Sequence, residues 1–216
     1  MPSLDFRLLL VTDRQQTKGR PLVSVLSEAL KAGSPAIQLR ERDLSAKELL
    51  ALAEEIQQLT MPRRSRLIIN DRLDIALSLP EAGVHLRSNS LPTSVARQLL
   101  GAHRLLGVSV HSVHEAVQRE AEGADYVVLG PIFETPSKHM YGPPLGLSKL
   151  EDAARVVRVP IIGIGGVTAT RAREMRTAGA FGVAVITAVL GAEDVEAATR
   201  MLLEAVTSTG SSAAND

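Results

Sequence analysis

The sequence predicts a single-domain α/β fold, and three observations lead to this prediction. Eight short apolar runs recur along the 216 residues, and a segment with helical periodicity follows each run. The runs are rich in Val, Ile and Leu and mostly do not alternate apolar with polar residues, which is typical of strands buried on both faces of a parallel sheet. Such a sheet is either open and doubly wound or closed. Eight units favour closure into a (β/α)8 TIM barrel, a compact one, since this fold typically spans about 250 residues.

The predicted strands are short and end abruptly in glycine or in small polar and charged residues. They are Leu8–Val11, Ala36–Leu39, Leu67–Ile69, Val84–Leu86, Leu105–Val110, Tyr126–Leu129, Pro160–Ile164 and Val183–Ile186.

The predicted helices lie between these strands and after the last one. They are Leu22–Lys31, Ala46–Leu59, a very short one at Leu73–Leu77, Thr93–Leu100, Val113–Glu122, Leu147–Val156, Thr170–Ala178 and Glu193–Leu203. Residues of N-cap type stand at several starts and glycines at several ends, which supports these boundaries. The N-cap candidates are Ser45, Thr93, Ser112 and Thr168.

One domain is expected over residues 1–206, because no linker interrupts the strand–helix pattern. Residues 207–216 have the small polar composition of a disordered tail. The longest connection from a strand to a helix runs from Pro131 to Gly146, and we predict that it forms a lid over the strand ends.

Composition excludes several classes of protein. Lys plus Arg (24) equals Asp plus Glu (24), so no overall field attracts nucleic acid or an anionic membrane, and an anion needs a local site. The absence of cysteine removes disulfides, thiolate metal sites and cysteine nucleophiles. The longest mostly apolar run, Phe181 to Leu190, is about half of a membrane span. We expect a soluble cytoplasmic protein that binds neither nucleic acid nor membranes, and homo-oligomer formation stays open.

The polar strand ends, here called tips one to eight, locate the candidate site. In a parallel barrel they meet at one mouth, where active sites lie, and the loops after strands seven and eight often hold a phosphate. Tip seven carries Gly165 and Gly166, and glycines let backbone N–H groups approach an anion closely. We predict that these glycines, with Ile186 and Thr187 of tip eight, bind a phosphate-ester substrate. A tight turn without a ligand is the alternative for the glycine pair.

The strand ends match one known family in order along the chain. The matching segments are Leu10–Asp13, Ile37–Arg42, Leu67–Arg72, Gly83–Leu86, Gly107–His111, Gly123–Tyr126, Gly130–Phe133, Thr135–Lys138 and Gly163–Gly166. As an ordered set they resemble the thiamin phosphate synthase superfamily, which includes the thiazole tautomerases of the TenI type. The resemblance implies an enzyme of thiamin biosynthesis.

The two branches of that family do different chemistry, and tip four separates them. A synthase joins a pyrimidine pyrophosphate to a thiazole phosphate and resembles other pyrophosphate-releasing enzymes in needing Mg²⁺, which carboxylates and substrate phosphates hold. Its pattern has an Asp after strand three, present as Asp71, and an acidic residue shortly after strand four. Residues 87–90 read Arg-Ser-Asn-Ser and contain no carboxylate. We therefore expect a TenI-type tautomerase, an isomerase that needs neither a metal ion nor a cofactor.

For a tautomerase the resemblance implies a proton shift that makes the ring of a carboxylated thiazole phosphate aromatic. One group that accepts and donates a proton near neutral pH suffices, and histidine is the usual choice. His111 at tip five matches the Ser-Val-His of that branch and is the predicted catalytic residue. A helix-start residue without a role is the alternative, and His139 in the lid is the competing catalyst.

The remaining predicted contacts are to the substrate. Gln38, Arg40 and Arg42 alternate along tip two and therefore share one side, the barrel interior or mouth. Arg40 or Arg42 then binds a substrate carboxylate, while an ion pair with Asp13 or Asp71 is the alternative for Arg40. The other predicted contacts are Asn70, Ser109, Thr135, Ser137 and Lys138.

Some of these residues also have an interpretation that is purely structural. Asn70 and Asp71 are alternatively caps of the short helix that follows them. His85 lies within strand four and is interpreted as a hydrogen-bonded structural histidine. Two other functions also stay open: a Mg²⁺-dependent thiamin phosphate synthase, and a non-enzymatic regulatory or binding protein on an inactive barrel.

Overall fold

The eight strands close into a parallel barrel in the computed structural model. Each strand pairs with the next along the chain, and β8 pairs with β1 to complete the circle. The structure describes residues 4–33, 35–135 and 143–208. Helices alternate with the strands, so the prediction of a (β/α)8 TIM barrel is confirmed.

The strands lie within one residue of their predicted bounds. They are β1 (Leu8–Val11), β2 (Ala36–Leu39), β3 (Leu67–Asn70), β4 (Gly83–Leu86), β5 (Leu106–Val110), β6 (Tyr126–Leu129), β7 (Ile161–Ile164) and β8 (Gly182–Val185). The helices are α1 (Leu22–Lys31), α2 (Ala46–Thr60), α3 (Leu73–Ser78), α4 (Thr93–Leu100), α5 (Val113–Ala121), α6 (Gly146–Val156), α7 (Ala169–Thr177), α8 (Thr187–Leu190) and α9 (Val195–Thr207). Short 3-10 helices cover Arg14–Gln16 and Met61–Arg63.

Two apolar clusters explain why the strands show no polar alternation. Leu8 and Leu10 of β1 face outward into the cluster shared with the helices, whereas Leu9 and Val11 face inward and fill the barrel. Tyr126 is the largest fully buried side chain, and it occupies the interior. A Cβ added at Gly107 would lie 2.1 Å from its ring, so the missing side chain of the neighbouring strand makes room for this tyrosine.

Helix caps follow the sequence at three of the four predicted positions. Ser45 forms a capping box with Glu48, and Ser112 and Thr168 each accept a hydrogen bond from a backbone N–H of the first turn. The prediction for Thr93 is wrong, because Thr93 is the first residue of α4 and Pro92 holds the cap position.

The C-terminal part of the chain differs from the prediction in two places. The four-residue α8 follows β8 directly and was not predicted, since a single turn is too short to show periodicity. Helix α9 starts after the N-cap Asp194 and continues to Thr207, one residue into the predicted tail. Residues 209–216 lie outside the described residues. In the ranges described above, no helix is long and apolar enough to cross a membrane.

Candidate active site

Uncharged polar side chains form the inner floor of the barrel mouth. Gln38 and Asn70 are buried near the C-terminal ends of β2 and β3, two residues after the inward-facing Ala36 and Ile68. Asn70 pairs in register with His85 of β4, whose Nε2 is 2.8 Å from Oγ of Ser109 on β5. Gln38, Asn70 and Ser109 therefore lie where the sequence predicted, and the hydrogen bond of His85 agrees with its structural interpretation.

His85 is neutral at physiological pH because of its surroundings. Complete burial lowers its pKa to about 3, and the charge of Asp71 opposes this shift only in part. Its Nδ1 is buried and has no hydrogen-bond partner within the described ranges. The floor of the mouth is thus polar but uncharged.

An ion pair joins tips three and four, and the sequence analysis did not predict it. The guanidinium of Arg87 binds Oδ2 of Asp71, with Nε at 2.6 Å. Burial acts to raise the pKa of Asp71, but Ser90 and Arg87 outweigh burial, so the pKa lies below its usual value. Oδ1 of Asp71 is buried without a hydrogen-bond partner in the described part of the chain. Asp71 also has φ +63°, an uncommon conformation for a residue other than glycine.

A cavity of about 230 Å³ opens beside this pair. Arg42, which is exposed, lines it together with Asn70, Asp71, Arg72 and Arg87. Three guanidinium groups and two carboxylates, those of Glu41 and Asp71, therefore line this space. The guanidinium groups make the cavity suited to an anion.

One alternative from the sequence is wrong in this region. Neither Asn70 nor Asp71 caps α3, because Arg72 holds the N-cap position and no side chain makes a capping bond there. Of the carboxylates named as alternative partners of Arg40, Asp13 caps the first 3-10 helix through the N–H of Gln15, and Asp71 pairs with Arg87. Arg40 is half-buried, and its backbone N–H donates to Oγ1 of Thr12 at 2.9 Å.

Glu41 fixes tip one to tip two. Its buried carboxylate accepts from the backbone N–H and from Nη1 of Arg14, and Arg14 also binds Asp43 at 2.6 and 2.7 Å. Glu41 therefore turns toward tip one. The sequence did not predict the role of Arg14 in this contact.

His111 lies half-buried at tip five, next to tip six. Its Nδ1 is 2.7 Å from the carbonyl oxygen of Gly130, and its backbone N–H donates to Glu115. Since a carbonyl only accepts, Nδ1 carries the proton, and in the neutral ring Nε2 carries the lone pair. The adjacent Ser112 is the N-cap of α5, so His111 is both a tip residue and a helix-start residue.

Tips six and seven are joined through backbone atoms. The N–H groups of Ile132 and Phe133 donate to the carbonyls of Ile164 and Gly165, at 2.8 and 3.3 Å. Gly165 and Gly166 have φ of +107° and +61°, and a Cβ at Gly166 would lie 2.7 Å from the carbonyl oxygen of Glu134. Both glycines are therefore required for this close packing as well as for the turn.

The predicted lid is only partly described. Thr135 is half-buried at its start, and Leu145 and Gly146 return to bind the carbonyls of Pro131 and Ile132 at 2.8 and 3.0 Å. Ser137, Lys138 and His139 lie outside the described residues. At tip eight, Ile186 is half-buried against the interior, and Thr187 is exposed as the first residue of α8.

Asp71 is also the residue that fits a divalent cation. No cluster of three or more His, Cys, Asp or Glu side chains with metal-ligand geometry is found across the three described ranges. Mg²⁺, however, is usually held by one or two carboxylates, with waters and substrate phosphates completing its octahedral shell. The buried, unpartnered Oδ1 of Asp71 provides one such oxygen.

Comparison with known proteins assigns the family. The model of the family described as thiamine monophosphate synthase matches residues 8–189. The chain belongs to this family. A thiamine-phosphate synthase of Roseiflexus castenholzii is 46% identical over 194 residues, which cover 90% of this chain and 85% of that protein. A thiamine-phosphate synthase of Moorella thermoacetica is 45% identical over 207 residues, covering 96% and 98%.

Solved structures agree with this assignment. Thiamine phosphate pyrophosphorylase from Pyrococcus furiosus has a TM-score of 0.84 and 35% identity, and the match covers 93% of this chain and 95% of that one. A 3-hexulose-6-phosphate synthase has a TM-score of 0.68 at 18% identity, which shows a shared fold only.

Membership of the thiamine monophosphate synthase family confirms the predicted superfamily and the prediction of an enzyme. The prediction of a TenI-type tautomerase, however, is wrong. The two relatives named thiamine-phosphate synthase, and the structure named thiamine phosphate pyrophosphorylase, match this chain over most of their length. The error arose at tip four, where the missing carboxylate in residues 87–90 was interpreted as loss of the metal site. One carboxylate is enough for Mg²⁺ when the substrate supplies phosphates, and Arg87 at this tip pairs with Asp71.

Proposed function

We propose that this chain is a thiamine-phosphate synthase. The observation that carries the proposal is the 45% identity to the Moorella thermoacetica enzyme of that name across nearly the full length of both chains. In this reaction the bond between the methylene carbon of the pyrimidine and its pyrophosphate oxygen breaks. The thiazole nitrogen forms the new bond to that carbon, and pyrophosphate leaves.

Both substrates carry phosphate groups, and the mouth offers two places for them. The phosphate of the thiazole is assigned to tips seven and eight, where Gly165, Gly166, Ile186 and Thr187 present backbone N–H groups. The pyrophosphate is assigned to the cavity beside tips two to four, since Arg42 and Arg87 line it. Arg40 and Thr135, between these places, are proposed as further contacts.

The leaving group develops negative charge, so preorganised cations at tips two to four stabilise the transition state. Asp71 is the residue that would hold Mg²⁺, through Oδ1. Bound there, Mg²⁺ supplies charge neutralisation for the departing pyrophosphate. Arg87 contributes in a second way, because its ion pair fixes the orientation of the Asp71 carboxylate.

The uncharged floor suits the pyrimidine ring. Gln38, Asn70 and Ser109 offer hydrogen bonds without a net charge, and His85 stays neutral. Such a floor binds a neutral heterocycle and avoids placing a fixed charge next to the reacting carbon. The acid–base role of His111 depended on the tautomerase and is withdrawn with it, while its position at tip five keeps it among the proposed contacts.

The decisive experiment supplies the pyrimidine pyrophosphate and the thiazole phosphate together with Mg²⁺. Thiamine phosphate and pyrophosphate should form in equal amounts, measured by chromatography and by a pyrophosphate assay. Formation of neither product by folded protein would overturn the proposal.

A matched pair of variants tests the site within that reaction. Asp71→Asn removes the charge that would hold Mg²⁺, and kcat/KM should fall at least about 100-fold, an effect of roughly 3 kcal/mol. Asp5→Asn changes an exposed carboxylate that precedes β1, at the opposite end of the barrel, and pairs with Arg66, so its kcat/KM should match that of the wild type. Equal losses in both variants would contradict the assignment of Asp71.

A further inference from the structure

A second cavity lies at the opposite end of the barrel, beside the N-terminal ends of β7 and β8. Its volume is about 420 Å³, and three arginines line it. Arg7 directly precedes β1, Arg158 follows α6, and Arg176 lies in the last turn of α7. None of the residues assigned to the barrel mouth contributes to this cavity.

Two of these arginines are held in place by the backbone. Nη1 of Arg7 donates to the carbonyl of Phe181 at 2.9 Å, and its guanidinium lies over the Phe181 ring at 4.4 Å. Nη1 of Arg176 donates to the same carbonyl at 2.8 Å and to that of Ala180. Nε of Arg176 is buried without a partner among the residues described. Each of these two arginines therefore bonds to the backbone through Nη1, and no hydrogen bond of its Nη2 is found in the described ranges.

The arrangement brings like charges together. Burial, and then the charge of Arg7, lowers the pKa of Arg176. No ion pair with a carboxylate involves Arg7, Arg158 or Arg176 in the described ranges. The hydrogen bonds of Arg7 and Arg176 to the Phe181 carbonyl anchor the start of β8. This structural role does not explain why cations that repel each other line an open cavity.

Negative charge nearby is too small to balance the three cations. The carboxylate of Glu120 accepts from the backbone N–H of Arg158 at 3.1 and 3.2 Å and contributes one charge. The C-terminal ends of α6 and α7 contribute about half a charge each. Three guanidinium groups thus leave an excess of about one positive charge.

We propose that this cavity binds the phosphate group of a small phosphorylated molecule, with Arg7, Arg158 and Arg176 as its ligands. Guanidinium N–H forks match phosphate oxygens, and a bound phosphate relieves the repulsion between Arg7 and Arg176. The volume lies within the range of small-molecule sites, about 300–1,000 Å³, and exceeds what one phosphate ion fills. A phosphate ester therefore fits better than the free ion.

The test locates phosphate on the protein and separates this site from the barrel mouth. Wild-type protein labelled with ¹⁵N is titrated with inorganic phosphate and, in a second arm, with glycerol phosphate. Saturable shifts of the amides of residues 179–182 are expected in both arms, with the ester binding more tightly, whatever occurs at Gly165 and Gly166. If inorganic phosphate bound more tightly, the cavity would be a site for the free ion, and the proposal of a phosphate ester would be overturned. If the amides of residues 179–182 showed no saturable shifts, the proposal of a phosphate site would be overturned.

Single variants identify the ligands. Arg158→Gln alters an exposed side chain without hydrogen bonds to the fold and should weaken binding at residues 179–182 about tenfold. Arg7→Gln should act similarly, with a thermal melt to verify folding. Arg155→Gln removes an equally exposed cation from the end of α6 outside the cavity and should leave the affinity unchanged. If Arg155→Gln and Arg158→Gln weakened binding equally, the effect would come from the overall positive charge of this region rather than from the cavity, and the proposal would be contradicted.

Discussion

His85 illustrates how burial determines the chemistry of one side chain. Its pKa of about 3 lies well below the ordinary 6.5, because the folded protein excludes the charged form. Between pH 6.5 and pH 3 the unfolded chain therefore binds a proton that the folded chain does not, and the free energy of unfolding decreases as the pH falls through this window. Stability from this residue is fully present above pH 6.5.

Replacement of His85 should flatten the dependence of stability on pH. From pH 7 to pH 5 the wild type should lose about 2 kcal/mol more than His85→Gln, as urea denaturation at the two pH values measures. His114→Gln is the control, since His114 is exposed on α5 and should leave the dependence unchanged. The same slope in wild type and His85→Gln would show that His85 is not buried neutral.

Several side-chain contacts could not be predicted from the sequence. Asp71 was assigned to a metal ion, to a helix cap or to Arg40, and residues 87–90 were considered only for their lack of a carboxylate, so the ion pair between Asp71 and Arg87 was missed. Such pairing depends on rotamers and on the stagger between tips, which residue order does not specify. The bond between His85 and Ser109 joins two strands in the same way. Which of the predicted contacts bind substrate stays a prediction.

Helices and strands were more predictable than contacts, because local sequence determines them. Apolar runs predicted the strands to within one residue, and α2 begins directly after Ser45, its predicted N-cap. Helix α8 was missed because four residues carry no periodic signal. The bounds of α4 were predicted correctly, but Pro92 rather than Thr93 holds its cap position.

Loss of the capping box should destabilise α2. Ser45→Ala removes the hydrogen bonds that Oγ makes with the backbone N–H and the carboxylate of Glu48, and it should lower the free energy of unfolding by about 1 kcal/mol. Ser24→Ala, at an exposed interior position of α1, should be neutral or slightly stabilising because alanine favours helix. Urea midpoints measure both, and equal effects would argue against the capping role.

Tip seven should tolerate no side chain at Gly166. Gly166→Ala forces a Cβ to 2.7 Å from the Glu134 carbonyl at a positive φ, so the KM for the thiazole phosphate should rise at least about tenfold. Gly19→Ala is the control, because Gly19 also has a positive φ but nothing lies within 4 Å of an added Cβ. That variant should lose about 1 kcal/mol of stability and keep the wild-type KM. An unchanged KM in Gly166→Ala would contradict the phosphate assignment.

The barrel as a whole depends on buried rather than exposed ion pairs. Oδ2 of Asp125, whose side chain is 1% exposed, accepts from Arg97 at 2.5 Å and from the N–H of Leu106 at 2.8 Å. This one carboxylate connects α4 with the starts of β5 and β6. Pairs such as Lys149 with Asp152 lie in solvent, where screening leaves them little net effect.

Truncation of Asp125 and of Asp152 should show the difference between a buried and an exposed ion pair. Asp125→Ala leaves Arg97 largely buried without a counter-charge and should cost about 3–5 kcal/mol. Asp152→Ala removes an exposed partner and should cost less than about 1 kcal/mol. Chemical denaturation at pH 7 measures both losses, and similar values would refute the distinction.

The alternation of strands and helices was enough to predict the fold, whereas the prediction of the reaction depended on the residues of tip four. A missing carboxylate among residues 87–90 excludes a carboxylate ligand for Mg²⁺ at tip four but not the ion itself, because substrate phosphates complete its shell. Sequence patterns show which protein groups are present. They do not show which groups the substrate brings.

The hydrogen bonds from Ile132 and Phe133 to the end of β7 have a consequence for the kinetics. Any ligand that tightens the backbone at Gly165 also orders the start of the loop that follows β6, and the same linkage acts in reverse. The two substrates should therefore enhance each other's affinity by an equal factor, and in initial-rate measurements the apparent KM for each should fall as the concentration of the other rises.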